Sequence, residues 1–449
     1  MVKNYDVLTI GGGPAAITIA KILGQKKTVG VIRPENFSMI YCAMPYAIED
    51  IVSLEKTFKQ DSLVTDAGAD LIRDKVVSVN FDEKTVLTEE GQTFGYEKLI
   101  IAIGASPFLP PIEGIGYEGV YVFKWEDDLK RLNEAVKDKK LKKAVVVGAG
   151  AIGVELALAL QHCGLETHLV DMVETVLPNL LDPDMSVQAE EQLVQAGLYL
   201  HLGSKTEKIV GDQRAEQVVL DSGESIDLTD DANPYGIVVF AVGMRADVDI
   251  FRDTALEIGR IGIVVDNKMQ TSIPDVYSVG DCAQFVSGIT GEPTEGKLAT
   301  NAVPMARMLA KNMLGASREY DGFFNGAATR VGDIFVGGTG LSEQAAQKGY
   351  DVVIGYSELT TTFPIMPEAK PVKMKLVADK NTLRVLGAQV VSGNPVTDKV
   401  DIITLAIQNK LTVNDLAGFS YSAQPYQSFF PANNLIVACA EDILSKVGG

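Results

Sequence analysis

A chain of 449 residues is too long for one hydrophobic core, so two or three domains are expected. Its 46% apolar and 22% charged residues are those of an ordinary globular protein. No apolar run reaches the roughly eighteen residues that a membrane span needs. A net charge of −19 argues against nucleic acid or an anionic membrane as partner.

The N-terminus enters a strand pattern at once, Tyr5-Asp6-Val7-Leu8-Thr9-Ile10, with no leader-like basic and apolar blocks before it, so the expected compartment is the cytoplasm. The glycine turn Gly11-Gly12-Gly13-Pro14-Ala15-Ala16 follows. Residues 15–23 then form a helix and residues 28–32 the next strand. Glycines in such a turn let the backbone approach a pyrophosphate, while the helix N-terminus supplies N–H groups and positive potential. The second strand ends Val31-Ile32-Arg33-Pro34-Glu35, so Arg33 stands where an acid usually meets the ribose. Either Glu35 reaches the ribose, or Arg33 stacks on the adenine or pairs with a phosphate.

Cys42 comes next, in Ser38-x-x-x-Cys42-Ala43-Met44-Pro45-Tyr46. Ala47 occupies the place where a C-x4-C disulfide needs its second cysteine, so Cys42 works alone if it works. Pro45 suits a first helical turn, which puts Cys42 near a helix N-terminus, a setting that favours a thiolate. The other cysteines, Cys163, Cys282 and Cys439, are distant, and no C-x-x-C pair exists. That excludes a disulfide scaffold and argues against a zinc or iron–sulfur site. Cys163 and Cys439 lie in apolar helical patterns and are expected in the core, and Cys282 is expected to pack. The three histidines, His162, His168 and His201, all fall mid-chain, at the surface or in packing roles.

Residues 98–102 form a further strand, ending in Ala102-Ile103-Gly104-Ala105. The proline-rich Pro107-Phe108-Leu109-Pro110-Pro111 should remain extended as a linker. The acidic run Glu126-Asp127-Asp128 has the look of a solvated helix start. A second nucleotide unit then repeats the first: strand 144–147, turn Gly148-Ala149-Gly150-Ala151-Ile152-Gly153, helix 154–162 and strand 167–171, closing near Gly243. One such turn is weak evidence, but two, each between a strand and a helix, are strong. Glu155 follows the turn and Asp171 ends the strand. An acid there accepts both ribose hydroxyls of NAD and repels the extra phosphate of NADP, so NADH is preferred over NADPH. Residues 275–281 return to the first domain. From about Asn325, strand-rich segments (373–377, 385–391) and a helix over 397–410 mark a separate α+β domain.

With these pieces in this order, the chain resembles the two-dinucleotide flavoprotein disulfide reductases over essentially its whole length. The resemblance rests on Gly11 to Ala16 for FAD, Gly148 to Glu155 for NAD, and Thr271-Ser272-Ile273-Pro274-Asp275-Val276-Tyr277-Ser278-Val279-Gly280-Asp281. It implies an α/β fold with two Rossmann-like dinucleotide-binding domains, for FAD and NAD, and a C-terminal α+β dimerisation domain. The expected boundaries are 1–112 and 246–324 for the FAD domain, 113–245 for the NAD domain and 325–449 for dimerisation. The resemblance also gives Asp281 the ribityl–phosphate region of FAD, makes Ile103-Gly104-Ala105 the crossing turn between domains, and turns the helix start Leu298-Ala299-Thr300 toward the flavin ring.

The segment from Ser38 to Tyr46 resembles the single-cysteine branch, which contains CoA-disulfide reductases, NAD(P)H-dependent persulfide or polysulfide reductases, and NADH oxidases and peroxidases. Oxidases and peroxidases of that branch carry a histidine inside the first glycine turn, where this chain has Pro14. Dithiol reductases need a second cysteine and a C-terminal histidine, and both are missing. The paired arginines that hold CoA are replaced by Gly24-Gln25-Lys26-Lys27, and Thr362-Phe363-Pro364-Ile365-Met366-Pro367 lacks a tyrosine expected from the partner subunit. Tyr421 or Tyr426 would serve as proton donor from that subunit. The expected protein is thus a homodimeric flavoprotein that uses NADH and Cys42 to reduce a persulfide, polysulfide or CoA disulfide. An NADH oxidase, or an electron-transfer flavoprotein feeding a small carrier protein, is the alternative.

Overall fold

Strands buried on both faces read as largely apolar runs, and two such runs, residues 7–10 and 144–147, each lie between parallel neighbours. A computed structural model describes residues 2–138, 141–229 and 235–448. Two compact units emerge from it.

The first unit comprises residues up to Phe108, Lys124–Lys130 and Gly243–Phe323. Its seven-stranded sheet runs Asp70–Arg73, Val29–Arg33, Lys3–Ile10, Thr93–Ile101, Thr85–Thr88, Val76–Asn80, with Val276–Ser278 also on Thr93–Ile101. The period-2 alternation of the strands divides the core. Val7, Val31 and Ile100 pack with helices Pro14–Leu23 and Ala299–Asn312, whereas Leu8, Ile32 and Leu99 pack with Phe251 and Cys282. The proline-rich linker begins as a strand instead: Ala105–Pro107 pairs antiparallel with Met244–Ala246. Pro107 is tolerated at the end of a two-stranded ribbon, where its missing N–H breaks no central ladder. The acidic run also departs from expectation. Asp128 is buried, because its carboxylate accepts the N–H groups of Lys124 and Trp125 ahead of helix Glu126–Lys137.

The second unit comprises Leu109–Phe123, Arg131–Val242 and Phe324–Gly449. A five-stranded parallel sheet runs Val120–Val122, Ile237–Phe240, Lys143–Val147, Glu166–Asp171, Tyr199–Leu202. A five-stranded antiparallel sheet, Ala327–Val331, Ile334–Gly340, Val385–Ser392, Pro371–Asp379, Val352–Thr360, carries helices Thr397–Gln408 and Leu435–Val447. Cys439 is buried as expected, but Cys163 is exposed. It is the C-cap of helix Ala151–His162, just past the last apolar turn, and so it faces out. His168 stacks on Tyr199 and lies 3.0 Å from His201, a packing role. Among the described residues no helix is long and apolar enough to cross a membrane, and no group of three or more His, Cys, Asp or Glu side chains converges to hold a metal.

Candidate active site

The first glycine turn is a close approach between strand ends. Gly11 has φ +104°, and a Cβ there would stand 2.2 Å from the Ala102 carbonyl oxygen, so glycine is required. Gly13 is the N-cap of helix Pro14–Leu23, offers no side-chain cap, and has nothing within 4 Å of where its Cβ would be. Pro14 lacks an N–H at a position where none is needed, and the N–H groups of Ala15 and Ala16 have no side-chain cap. That is an anion-binding helix start. The Cβ direction of Gly280 meets the Cβ atoms of Ala302 at 3.4 Å and Ala15 at 3.8 Å. The first turn, the Asp281 turn and the start of helix Ala299–Asn312 therefore adjoin. Ala299 and Thr300 are exposed, and Pro304 removes the helix bond to the Thr300 carbonyl. Gly104, with φ +80°, has open space at its Cβ position, as does Gly243.

Arg33 is buried beneath the turn, its Cδ only 2.1 Å from where a Cβ on Gly12 would lie. Its guanidinium donates to Asp61 at 2.5 Å and to the Asn36 carbonyl at 3.1 Å. Arg73 shares Asp61 and also donates to the backbone oxygen of Glu35, whose own side chain is exposed. The buried Nε of Arg33, Oγ1 of Thr9 and Oγ of Ser38 have no partner within the protein. Three orphaned polar atoms on the strands around an open helix start fit the ribose and pyrophosphate of a dinucleotide.

Asp281 is half-buried; burial pushes its carboxyl pKa up, while the Lys124 and Lys297 ammonium groups pull it back. Lys124 escaped the sequence reading. It is 5% exposed, donates to the Ala105 carbonyl, and lies 5.0 Å from the Tyr41 ring and 5.2 Å from that of Trp125. Burial pulls its pKa down to about 8, against the attraction of Asp281, Asp247 and Glu35. Burial, then Glu35 and Asp281, push the Tyr41 hydroxyl up to about 12. The residue before Cys42 therefore shares the field of the Asp281 turn. A lysine between two aromatics, Phe123-Lys124-Trp125, was the available signal.

Cys42 is a free, exposed thiol in the 3-10 turn Tyr41–Ala43. Helix Met44–Ile48 starts two residues later, with Pro45 in its first turn, so Cys42 precedes the helix rather than capping it. The other sulfur of this kind in the unit, Cys282, is wholly buried; its thiol is 3.4 Å from the Ile101 carbonyl, and burial raises its pKa.

The second glycine turn repeats the first. Gly148 has φ +112°, and its Cβ would stand 2.5 Å from the Ala241 carbonyl oxygen. Gly153 packs its Cα face on the Gly148 carbonyl, and Gly150 is an uncapped N-cap with open space before it. Ile152, in the first turn of the helix, is half-buried. The Asp171 carboxylate accepts from the Ala149 N–H at 2.6 Å and the Val173 N–H at 2.9 Å, which fixes it beside the turn. Glu155 points elsewhere and accepts from the Thr329 hydroxyl at 2.6 Å. Tyr421 is 37% exposed and donates to the Pro431 carbonyl at 2.7 Å; Tyr426 is 58% exposed.

Residues 5–306 match the pyridine nucleotide-disulphide oxidoreductase family, and residues 327–429 match its dimerisation domain. An NADH oxidase of Methanocaldococcus jannaschii is 31% identical over 98% of this chain and 99% of its own length. An NAD(P)H sulfur oxidoreductase (CoA-dependent) of Pyrococcus furiosus is also 31% identical, over 92% and 94%. The solved structure of a NAD-dependent persulfide reductase from A. fulgidus superposes with a TM-score of 0.92 at 27% identity, covering 99% of this chain and 84% of that one. FAD and NAD(H) are thus the cofactors of this chain. An FAD-dependent NAD(P)H oxidoreductase, related to persulfide and CoA-disulfide reductases and to NADH oxidases, the chain belongs to the single-cysteine branch of the pyridine nucleotide-disulphide oxidoreductase family.

Proposed function

We propose that the enzyme oxidises NADH and reduces a small persulfide, polysulfide or CoA disulfide, with Cys42 as its working thiol. One observation carries this reading: Cys42 is a free, exposed thiol in the unit that bears the FAD turn, and its neighbour Tyr41 lies in the field of Asp281. The names of the P. furiosus and A. fulgidus relatives support the sulfur substrate, and the first supports CoA as a carrier. The carboxylate of Asp171 beside the second turn supports NADH over NADPH. Four scattered cysteines with no C-x-x-C pair suit the reducing cytoplasm.

Bound FAD supplies a two-electron relay between nicotinamide and sulfur. The chain would hold that FAD with the Gly11 turn, Asp281 and the start of helix Ala299–Asn312, and the nicotinamide dinucleotide with the Gly148 turn and Asp171. The Cys42 thiolate would attack the outer sulfur of R–S–SH, expelling R–S⁻ and leaving Cys42–S–SH. Two electrons and one proton then break that S–S bond, restoring the thiolate and releasing hydrogen sulfide. The net reaction converts NADH and R–S–SH to NAD+, R–S⁻ and hydrogen sulfide. With R–S–S–R the same attack gives a mixed disulfide. Tyr426, across the homodimer that the dimerisation domain supports, is favoured over Tyr421 as proton donor, because the Tyr421 hydroxyl is already committed to Pro431.

The test is an anaerobic NADH titration, then mixing with CoA disulfide, polysulfide or glutathione persulfide, for wild type and Cys42→Ser. The expected result is reoxidation by a sulfur compound that falls roughly a hundredfold or more in the variant, with FAD retained and still reduced by NADH. Equal reoxidation by a sulfur compound in both proteins would remove Cys42 from the reaction, and reoxidation by oxygen alone would sink the sulfur reading. The second reading would then stand, an NADH oxidase, which the name of the M. jannaschii relative favours.

A further inference from the structure

The packed histidines of the second unit have a proton count to satisfy as well. Strand Glu166–Asp171 pairs in parallel with Tyr199–Leu202, with His168 opposite Tyr199 and Val170 opposite His201. Period-2 alternation puts both histidines on one face of the sheet, the face whose core includes Val170, Leu220 and Ile226. Their side chains are only 13% and 14% exposed, so they depend on each other and their neighbours for hydrogen bonds. Nδ1 of His168 lies 3.0 Å from Nε2 of His201. The outer nitrogen of each ring faces a carboxylate: Nε2 of His168 is 3.3 Å from Glu166, and Nδ1 of His201 is 3.2 Å from Glu224. A carboxylate only accepts, and two ring nitrogens cannot meet with two lone pairs or two hydrogens between them. Each outer nitrogen therefore carries a proton, and one of the two inner nitrogens carries a third. Two neutral imidazoles bring only two. The row of contacts is complete only when one ring is neutral and the other is an imidazolium.

We propose that His168 and His201 share one extra proton, and that this proton is a pH-sensitive clasp holding the edge strand Tyr199–Leu202 and the hairpin of Glu224 on the parallel sheet. The charges around the pair suit one imidazolium. Glu166 and Lys143 face His168, with the Lys143 ammonium 3.9 Å from Glu166, and Glu224 faces His201. Two carboxylates against one ammonium leave one negative charge for the pair to balance. The remaining neighbour is the Tyr199 ring, stacked on His168 at 4.8 Å. Burial pulls the pKa of His168 down, against Glu166, which makes it the neutral ring. The clasp lies where it matters. Tyr199–Leu202 is the last strand of its sheet. Just beyond it the Gly203 N–H donates to the Val173 carbonyl at 3.0 Å and the Ser204 N–H to that of Asp171 at 2.9 Å. Glu224 stands in the turn between strands Gln217–Leu220 and Ser225–Asp227. Opened, the two histidines go from two extra protons to none around the ordinary value of about 6.5, while the closed pair keeps one. Below that value the open form binds more protons, so closure gains stability as pH rises; above it the closed form binds more, so closure loses stability. The clasp is tightest at about pH 6.5.

The test uses the FAD-loaded enzyme carrying nitrogen-15 histidine, with EDTA present. Three histidines give three ring systems, assigned by single His→Gln variants. At about pH 6.5 the ring nitrogen shifts of His168 and His201 should show three protonated nitrogens out of four. Two singly protonated rings overturn the proposal. Hydrogen exchange, corrected for the intrinsic rate, gives the second readout. Protection of the amides of residues 199–204 should fall roughly tenfold between about pH 6.5 and about pH 8.5, and by a similar factor toward about pH 5. A histidine merely buried and neutral produces the acid limb alone, so protection that stays level above about pH 6.5 defeats the clasp. His201→Gln keeps a donor and an acceptor at the place but cannot hold the proton, and it should lose the alkaline limb; a limb that persists belongs to another group and also defeats the clasp. Should that variant fail to fold, the proton count in wild type decides. Neither readout needs turnover, so both stand apart from the role of Cys42.

Discussion

The two glycine turns have nearly the same backbone and opposite charges at the end of the strand that follows each. Gly11 and Gly148 take φ of +104° and +112°, each pressed on a carbonyl of the neighbouring strand, Ala102 in one case and Ala241 in the other. Each precedes a helix with a glycine N-cap and no side-chain cap. The following strand then ends in Arg33 in the first unit and Asp171 in the second. Asp171 accepts two backbone N–H groups and holds its carboxylate at the turn, whereas Arg33 lies under its turn and pairs with Asp61. Glycine geometry makes a pyrophosphate cradle. The side chain at the end of the next strand is where the two cradles differ.

The largest expected effects come from breaking one cradle and leaving the other. Gly11→Ala places a Cβ against backbone that cannot move aside and forces an alanine to a left-handed φ, a strain of roughly 1–3 kcal/mol before the clash is counted. It should yield protein with little or no FAD. Gly148→Ala should keep FAD and its visible spectrum but lose reduction by NADH. Flavin absorbance and an anaerobic NADH titration read both. A Gly148→Ala protein reduced as readily as wild type would show that the second turn is not the nicotinamide site.

A smaller effect tests the charge difference itself. Asp171→Ala removes a carboxylate that a ribose would share, a charged hydrogen bond worth roughly 1.5–3 kcal/mol. The KM for NADH should rise about tenfold to a hundredfold, with little change in kcat or FAD content, and preference for NADH over NADPH should narrow. Steady-state kinetics with both nucleotides checks this. An unchanged ratio would transfer the selectivity to another residue.

Much of this comparison was legible in the sequence, because glycines and apolar runs signal through neighbours along the chain. The turns, their flanking strands and the departure at Arg33 are local patterns. What stayed hidden depends on contacts between distant segments. Lys124 lies among Asp281, Asp247 and Glu35 from three other segments. Glu155 follows its turn in the expected place, yet Thr329 of the C-terminal sheet draws its carboxylate away. Cys163 continued an apolar helix on paper, but the helix ended one residue earlier. Pro107 read as a linker because nothing nearby announces Met244 as its strand partner.

A last comparison, read in stability rather than activity, separates the two units by their buried lysines. Lys375 of the second unit is 1% exposed and touches three carboxylates, Asp182 at 3.1 Å, Asp184 at 2.7 Å and Glu343 at 2.7 Å, which hold its pKa above the ordinary lysine value. Its contribution to stability is complete below the unfolded value of 10.5 and is lost only as pH rises through the higher folded value. Lys124 of the first unit is the reverse case: burial lowers its folded pKa to about 8. Between about 8 and 10.5 the unfolded chain binds more protons at this residue than the folded one, so folding gains stability as pH rises through that window. Urea unfolding of the flavin-free protein should therefore show the stability of wild type rising relative to Lys124→Met from neutral pH to about pH 10. Lys375→Met should lose stability at every pH in that range, since it strands three carboxylates around a buried site. A constant difference between wild type and Lys124→Met across the window would mean that Lys124 keeps its proton in the folded state, with Asp281, Asp247 and Glu35 outweighing its burial.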